Sequence, residues 1–117
     1  MTTAISTACV VASIWAALAI DPAAAAQTGV ASWYRSKSGA KTASGEIVTS
    51  RKMTCAHRSV DFGAYVKVTD LKTGRFIVCR VNDRGPFARG RIVDLNPPSA
   101  HALGMEGTAH VRIEKLR

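Results

Sequence analysis

The chain has 117 residues, 16 lysines and arginines against 8 acidic residues, and a formal charge of +8 with a pI near 10.0. That length leaves room for one domain, and one domain is expected. The charge favours anionic partners, yet no helix-turn-helix, zinc or aromatic RNA-reading motif accompanies it, so nucleic acid is excluded as the expected partner.

Residues 1–26 differ from the rest in composition. They hold no lysine or arginine and one acid, Asp21, around an apolar run over residues 8–20 interrupted only by Ser13, whereas all 16 basic residues lie from Arg35 onward. This reads as a secretory leader, with Ala24-Ala25-Ala26 before Gln27 as a small-residue cleavage site, although the α-amino group is its only positive charge at the start. The apolar run is shorter than the ~20 residues a membrane-spanning helix needs, so no transmembrane anchor is expected after processing. Removing Asp21 with the leader raises the formal charge from +8 to +9 over residues 27–117. A periplasmic or secreted protein of that charge would meet anionic wall or envelope polymers.

Of the three cysteines, Cys9 leaves with the leader. Cys55 and Cys79 remain as an even pair in an exported small domain, which indicates either a disulfide worth roughly 3–4 kcal/mol or two buried thiols. Cys55 and His57 lack the C-x-x-C spacing of a zinc site, and no metal or other cofactor is expected.

Along the mature chain, residues 29–34 alternate as a first strand ending in the aromatic pair Trp33 and Tyr34. Residues 35–41 are small, polar and basic, an exposed loop leading to Thr42-Ala43-Ser44-Gly45-Glu46. Residues 50–56 are expected to form one short helical turn, with Met53 and Cys55 partly inward, before His57. Residues 64–70 alternate apolar and polar, Lys72-Thr73-Gly74 turns the chain, and residues 75–82 return as the clearest β-hairpin, with Gly74 supplying a left-handed position. The next stretch looks built for chemistry: Asn82-Asp83-Arg84-Gly85-Pro86-Phe87 makes a tight turn into a short strand over residues 91–95, setting Asp83 and Asp94 on either side of one connection with Arg84, Arg89 and Arg91 among them. Asn96 then caps a short helix that Pro97 begins and Gly104 stops, and residues 108–116 form the last strand. Strands of this length with one or two short helices indicate an all-β barrel.

Five ordered motifs carry a family resemblance. Gly29-Val30-Ala31-Ser32-Trp33-Tyr34, Thr42-Ala43-Ser44-Gly45-Glu46, Thr54-Cys55-Ala56-His57 with Phe62-Gly63, Asn82-Asp83-Arg84-Gly85-Pro86-Phe87, and Arg91-Ile92-Val93-Asp94-Leu95 followed by Ala102-Leu103-Gly104-Met105 resemble the rare lipoprotein A family. The resemblance covers roughly residues 29–117. It implies a six-stranded double-psi β-barrel, a topology that patterning alone does not supply. It also implies lytic transglycosylation of peptidoglycan glycan strands, in which the sugar's own C6 hydroxyl replaces water and leaves a 1,6-anhydro-muramyl end. One departure stands out: Ser38 occupies the place where the family often has a bulky aromatic and a histidine, and the loop is about one residue short.

The resemblance implicates the positions of Asp83, Glu46 and His57 in activity, and that of Asp94 in related glycan-cleaving barrels. Cleavage needs a proton donor for the leaving oxygen and stabilisation of an oxocarbenium-like transition state, and two carboxyls in unlike environments supply both. Asp83 is the expected acid and base, with Asp94 holding or sharing charge. Each also has a structural reading: Asp83 as a turn aspartate, Asp94 as a partner of Arg84 or Arg91, Glu46 as a solvated turn acid, His57 as a barrel hydrogen-bonder. Trp33, Tyr34, Arg84 and Thr42 are the candidate substrate contacts, while His101 and His110 read as structural. The competing functional readings are a non-catalytic, expansin-like wall-binding or wall-loosening module, and an effector or inhibitor on the same scaffold. A monomer is expected in each case.

Overall fold

The computed structural model describes residues 19–21, 24–34, 39–48 and 51–117. Most of the leader, Cys9, Arg35 to Ser38 and Ser50 lie outside the described residues.

Six strands close into a barrel: β1 (Gln27–Trp33), β2 (Thr54–Ala56), β3 (Tyr65–Asp70), β4 (Phe76–Asp83), β5 (Arg91–Leu95) and β6 (Ala109–Lys115). Their order around the barrel is β1-β5-β2-β4-β3-β6, with the β1/β5 and β2/β4 pairs parallel and the others antiparallel. Each strand sends alternate side chains inward. Val66 and Val68 of β3, Cys79 and Val81 of β4, Val93 and Leu95 of β5, and Val111 and Ile113 of β6 meet in one core with Ala31 and Cys55. The expected hairpin is β3 and β4, with Gly74 at φ 77° in its turn.

One short helix, α1 (Pro97–Leu103), packs Ala100 and Leu103 against the core. Its ends follow the expected chemistry. The Asn96 side chain caps it by accepting from Ser99 N–H, and Gly104 at φ 81° stops it. Asn96 also ties the helix to β2, accepting from Thr54 N–H at 3.1 Å and donating to the Lys52 carbonyl at 2.7 Å.

The helical turn expected over residues 50–56 is replaced by β2. Thr54, Cys55 and Ala56 pair with β4 on one side and β5 on the other, and Cys55 is fully buried while Met53 is exposed. A three-residue strand is too short to declare itself by periodicity, and two nonlocal ladders outweigh its local preference. Cys55 and Cys79 are joined by a disulfide with their Cα atoms 5.9 Å apart, so the pair consists of neither free thiols nor metal ligands. Among the described residues no helix is long and apolar enough to cross a membrane.

Candidate functional site

The β2 strand decides where the carboxylates stand. Ala56 lies opposite Asp83 on β4 and opposite Asp94 on β5, so the two aspartates flank one methyl side chain, ~10 Å apart at the Cα atoms across two strand spacings. Val93 and Leu95 on either side of Asp94 point into the core, which turns Asp94 to the outer face of the barrel, while Asp83 is half-buried at the end of β4, just past a register shift in its pairing with β2. The row continues to β1, where Ser32 lies opposite Asp94 and its hydroxyl donates to Asp94 Oδ1.

Tyr34 follows β1 and is fixed by its own N–H to the Leu95 carbonyl at 3.0 Å. Its phenol is pushed up to about 12, first by burial and then by the charge of Asp83, with the Thr54 side-chain hydrogen bond opposing and Asp94 adding to the rise. Both carboxylates therefore act on one hydroxyl, which stays protonated and able to donate at physiological pH.

Asp83 spends only one oxygen on structure among the described residues. Oδ1 accepts from Arg84 N–H at 2.9 Å and from Ala43 N–H at 3.0 Å, which docks the Thr42–Glu46 turn onto the aspartate. That turn is internally braced by Thr42 Oγ1 against Ser44 Oγ at 2.9 Å and the Glu46 carbonyl at 3.2 Å, and by Ser44 N–H to the Asn82 carbonyl at 3.2 Å. Glu46 engages both oxygens: Asn82 Nδ2 donates to Oε1 at 2.8 Å and Arg80 Nη2 to Oε2 at 2.5 Å. Those two bonds, Asn82 first, hold its carboxyl below the usual carboxylate range. An ionised, doubly bonded carboxylate orders a loop well and donates protons poorly.

His57 is buried, and its imidazole turns toward the barrel end rather than toward the carboxylates. Nδ1 accepts from Ser59 N–H at 3.1 Å and Val60 N–H at 3.0 Å, so Nε2 carries the proton and donates to Gln27 Oε1 at 2.9 Å. Burial, then the Arg84 and Arg58 charges, lower its pKa from the ordinary 6.5. Its link to the site is through the backbone: His57 N–H donates to the Asp83 carbonyl at 3.2 Å. A cavity of about 380 Å³ beside it is lined by Gln27, Thr28, His57, Arg58, Ser59 and Ile92, and includes neither Asp83 nor Asp94.

The geometry thus seats the Thr42–Glu46 turn on Asp83 and sets Asp83 and Asp94 on either side of Ala56, with the Tyr34 phenol under the charge of both. It turns the other candidate contacts away. Arg84 donates to the His57 and Val60 carbonyls at 3.1 and 2.7 Å and lies 3.9 Å over the Phe62 ring, a structural use of its charge. Trp33 packs against the core and lies 6.0 Å from the His101 ring. Four residues at the site were missed by the sequence reading. Arg80 and Asn82 hold Glu46, Ser32 holds Asp94, and Arg58 grips the loop after Asp83. For Arg80 and Asn82 the outward alternation of β4 was an available signal; for Ser32 and Arg58 there was none.

Comparison with known proteins agrees with this architecture. The family model described as lytic transglycolase matches residues 26–114. The chain is 43% identical over 95 residues to the endolytic peptidoglycan transglycosylase RlpA of Pasteurella multocida, covering 79% of this chain and 32% of that protein. It is 50% identical over 93 residues to the probable RlpA of a Nostoc species, covering 75% and 25%, and 45% identical over 93 residues to RlpA of Neisseria meningitidis, covering 77% and 39%. The chain therefore spans a quarter to two fifths of the length of these curated relatives. Among solved structures, an expansin of Clavibacter michiganensis aligns with a TM-score of 0.63 at 22% identity, over 80% of this chain and 51% of that one. The Streptomyces papain inhibitor aligns with a TM-score of 0.63 at 21% identity, over 82% and 98%. At that identity the two structures speak for the fold alone. By its sequence match and its closed six-stranded barrel, the chain belongs to the RlpA-like, lytic transglycolase family of double-psi β-barrels.

Proposed function

We propose that the domain cleaves peptidoglycan glycan strands by lytic transglycosylation, with Asp83 as the proton-transfer group. The observation that carries this is the placement of Asp83 and Asp94 on either side of the small Ala56, with one Asp83 oxygen left over from the bonds to Ala43 and Arg84. The printed function of the RlpA relatives supports the substrate class.

In this reading Asp83, through the oxygen not bonded to Ala43 and Arg84, protonates the glycosidic oxygen as its bond to C1 breaks. The positive charge left on the ring is stabilised by Asp94, which Ser32 orients. The C6 hydroxyl of the same sugar then attacks C1 and returns its proton to Asp83, closing the anhydro ring and restoring the acid. Tyr34, its phenol kept neutral by burial and by the charge of the carboxylates, is a hydrogen-bond donor for the glycan. Glu46 and His57 act as positioning groups, the first through the Thr42–Glu46 turn seated on Asp83, the second through its backbone bond to the Asp83 carbonyl.

Export follows from the same reading: residues 1–26 serve as a leader removed after Ala26, and the domain works in the periplasm or outside the cell as a monomer. The test is to incubate the purified domain with glycan strands, both stripped of and bearing stem peptides, and to look by mass spectrometry for anhydro-muramyl ends. Their appearance supports the reading. Retention on the wall polymer with no such product from either substrate would leave a non-catalytic wall-binding module instead.

A further inference from the structure

The loop between Asp83 and β5 carries an exposed phenyl ring on a tightly fastened backbone. Phe87 is 79% exposed, the most exposed large apolar side chain among the described residues. A lone exposed aromatic at a loop tip usually sits on mobile chain. Here the backbone is held on both sides of the ring. Arg58 Nε donates to the Pro86 carbonyl at 2.6 Å, and its Nη2 donates to the Ala88 and Arg91 carbonyls at 3.0 and 3.1 Å. The Gly90 carbonyl accepts from Val30 N–H at 3.0 Å, and Arg91 N–H donates to the Ala88 carbonyl at 3.2 Å. At the near end, Arg84 is pinned by its N–H to Asp83 and by its guanidinium to two carbonyls. Gly85 at φ 119° and Gly90 at φ 81° provide the two bends, and the phenyl ring lies back beside Gly85.

We propose that Phe87 is a sugar-stacking platform on the loop that leaves the Asp83 carboxylate, and that Arg58 is the residue that holds it in place. This rests on the glycan substrate proposed above. A pyranose presents an apolar C–H face bordered by hydroxyls, so it takes a flat exposed ring together with hydrogen-bond donors at its edge. The exposed Arg89 and Arg91 supply those donors. Fixing the loop beforehand removes the ordering cost that binding would otherwise carry. Continuity sets the position: the loop starts at the Arg84 amide that Asp83 accepts from, and Phe87, four residues after Asp83, is at most ~14 Å from it along the chain. A lipid surface fits less well, because a single phenyl between Pro86 and Ala88, followed by Arg89, buries too little apolar area for interfacial anchoring.

The experiment is retention on purified insoluble peptidoglycan sacculi, measured in an Asp83→Asn background so that binding is read without turnover, with anionic phosphatidylglycerol vesicles as a second surface. Phe87→Ala is expected to weaken retention about 3- to 10-fold at unchanged urea midpoint, and Phe87→Trp to restore it. Arg58→Lys is expected to weaken retention in the parent but to add little once Phe87 is alanine, because it acts through the ring's placement. Wild-type retention by Phe87→Ala would overturn the proposal. So would a loss confined to the vesicles, or no retention of any form on sacculi. Because retention is scored separately from anhydro-muramyl product, a catalytically silent domain can still use Phe87, and an active one can still prove indifferent to it.

Discussion

Reducing the Cys55–Cys79 bond should remove about 3.4 kcal/mol of stability, because it frees a loop of 24 residues in the unfolded chain. For a domain of this size that is a large part of the total. Divided by an ordinary urea m-value of about 1–3 kcal/mol/M, it lowers the unfolding midpoint by about 1–3 M. The structure adds a local consequence. Cys55 immediately precedes Ala56, the residue that separates Asp83 from Asp94, so reduction should release β2 first. The assay is urea unfolding with and without a phosphine reductant, followed by amide exchange on the reduced protein under native conditions. Faster exchange is expected at Ala56 and Asp94, which pair across β2 and β5, and little change on the β3/β6 ladder. An unchanged midpoint would refute the reasoning, and equal loosening of all ladders would refute its local part.

Two further perturbations read other parts of the account. His57 is depressed below the ordinary 6.5 by burial and by Arg84 and Arg58, so the unfolded chain binds its proton more readily than the folded one. The neutral ring's contribution is complete above that ordinary value and is lost as pH falls through the folded pKa; His57→Gln should flatten thermal stability over this interval, and an unaltered pH profile would contradict the assignment. At Gly29 an added Cβ would meet Ile92 Cγ2 at 2.8 Å and the Gly90 carbonyl at 3.2 Å, so Gly29→Ala should destabilise by about 1–3 kcal/mol in urea unfolding. A neutral result would mean the β1/β5 seam is looser than described.

How much of this was readable in the chain differs by element. The β3/β4 hairpin was legible because inward valines alternate with outward polar residues and a glycine stands where the turn needs a left-handed residue. The helix was legible because Asn96, Pro97 and Gly104 act locally. The β2 strand was not, since its three residues are held by β4, β5 and Asn96 from elsewhere in the chain. The barrel order with two parallel seams was available only through family resemblance. At the site, Asp83 and Asp94 were readable as a pair flanking one turn, but what the fold does with their neighbours was not. The donors around His57 depend on Gln27 and two backbone amides that local spacing does not encode, and for Arg80 and Asn82 the alternation of β4 gives the face but not the partner, Glu46.

The most direct test of the central claim is the mass of the sugar released from glycan strands by the wild-type domain and by Asp83→Asn. The account predicts ends lighter by one water than hydrolysis would leave, at a rate that Asp83→Asn lowers by about 10²–10⁴-fold while the protein stays folded. Hydrolytic ends, or anhydro ends released as fast by Asp83→Asn as by the wild type, would contradict it.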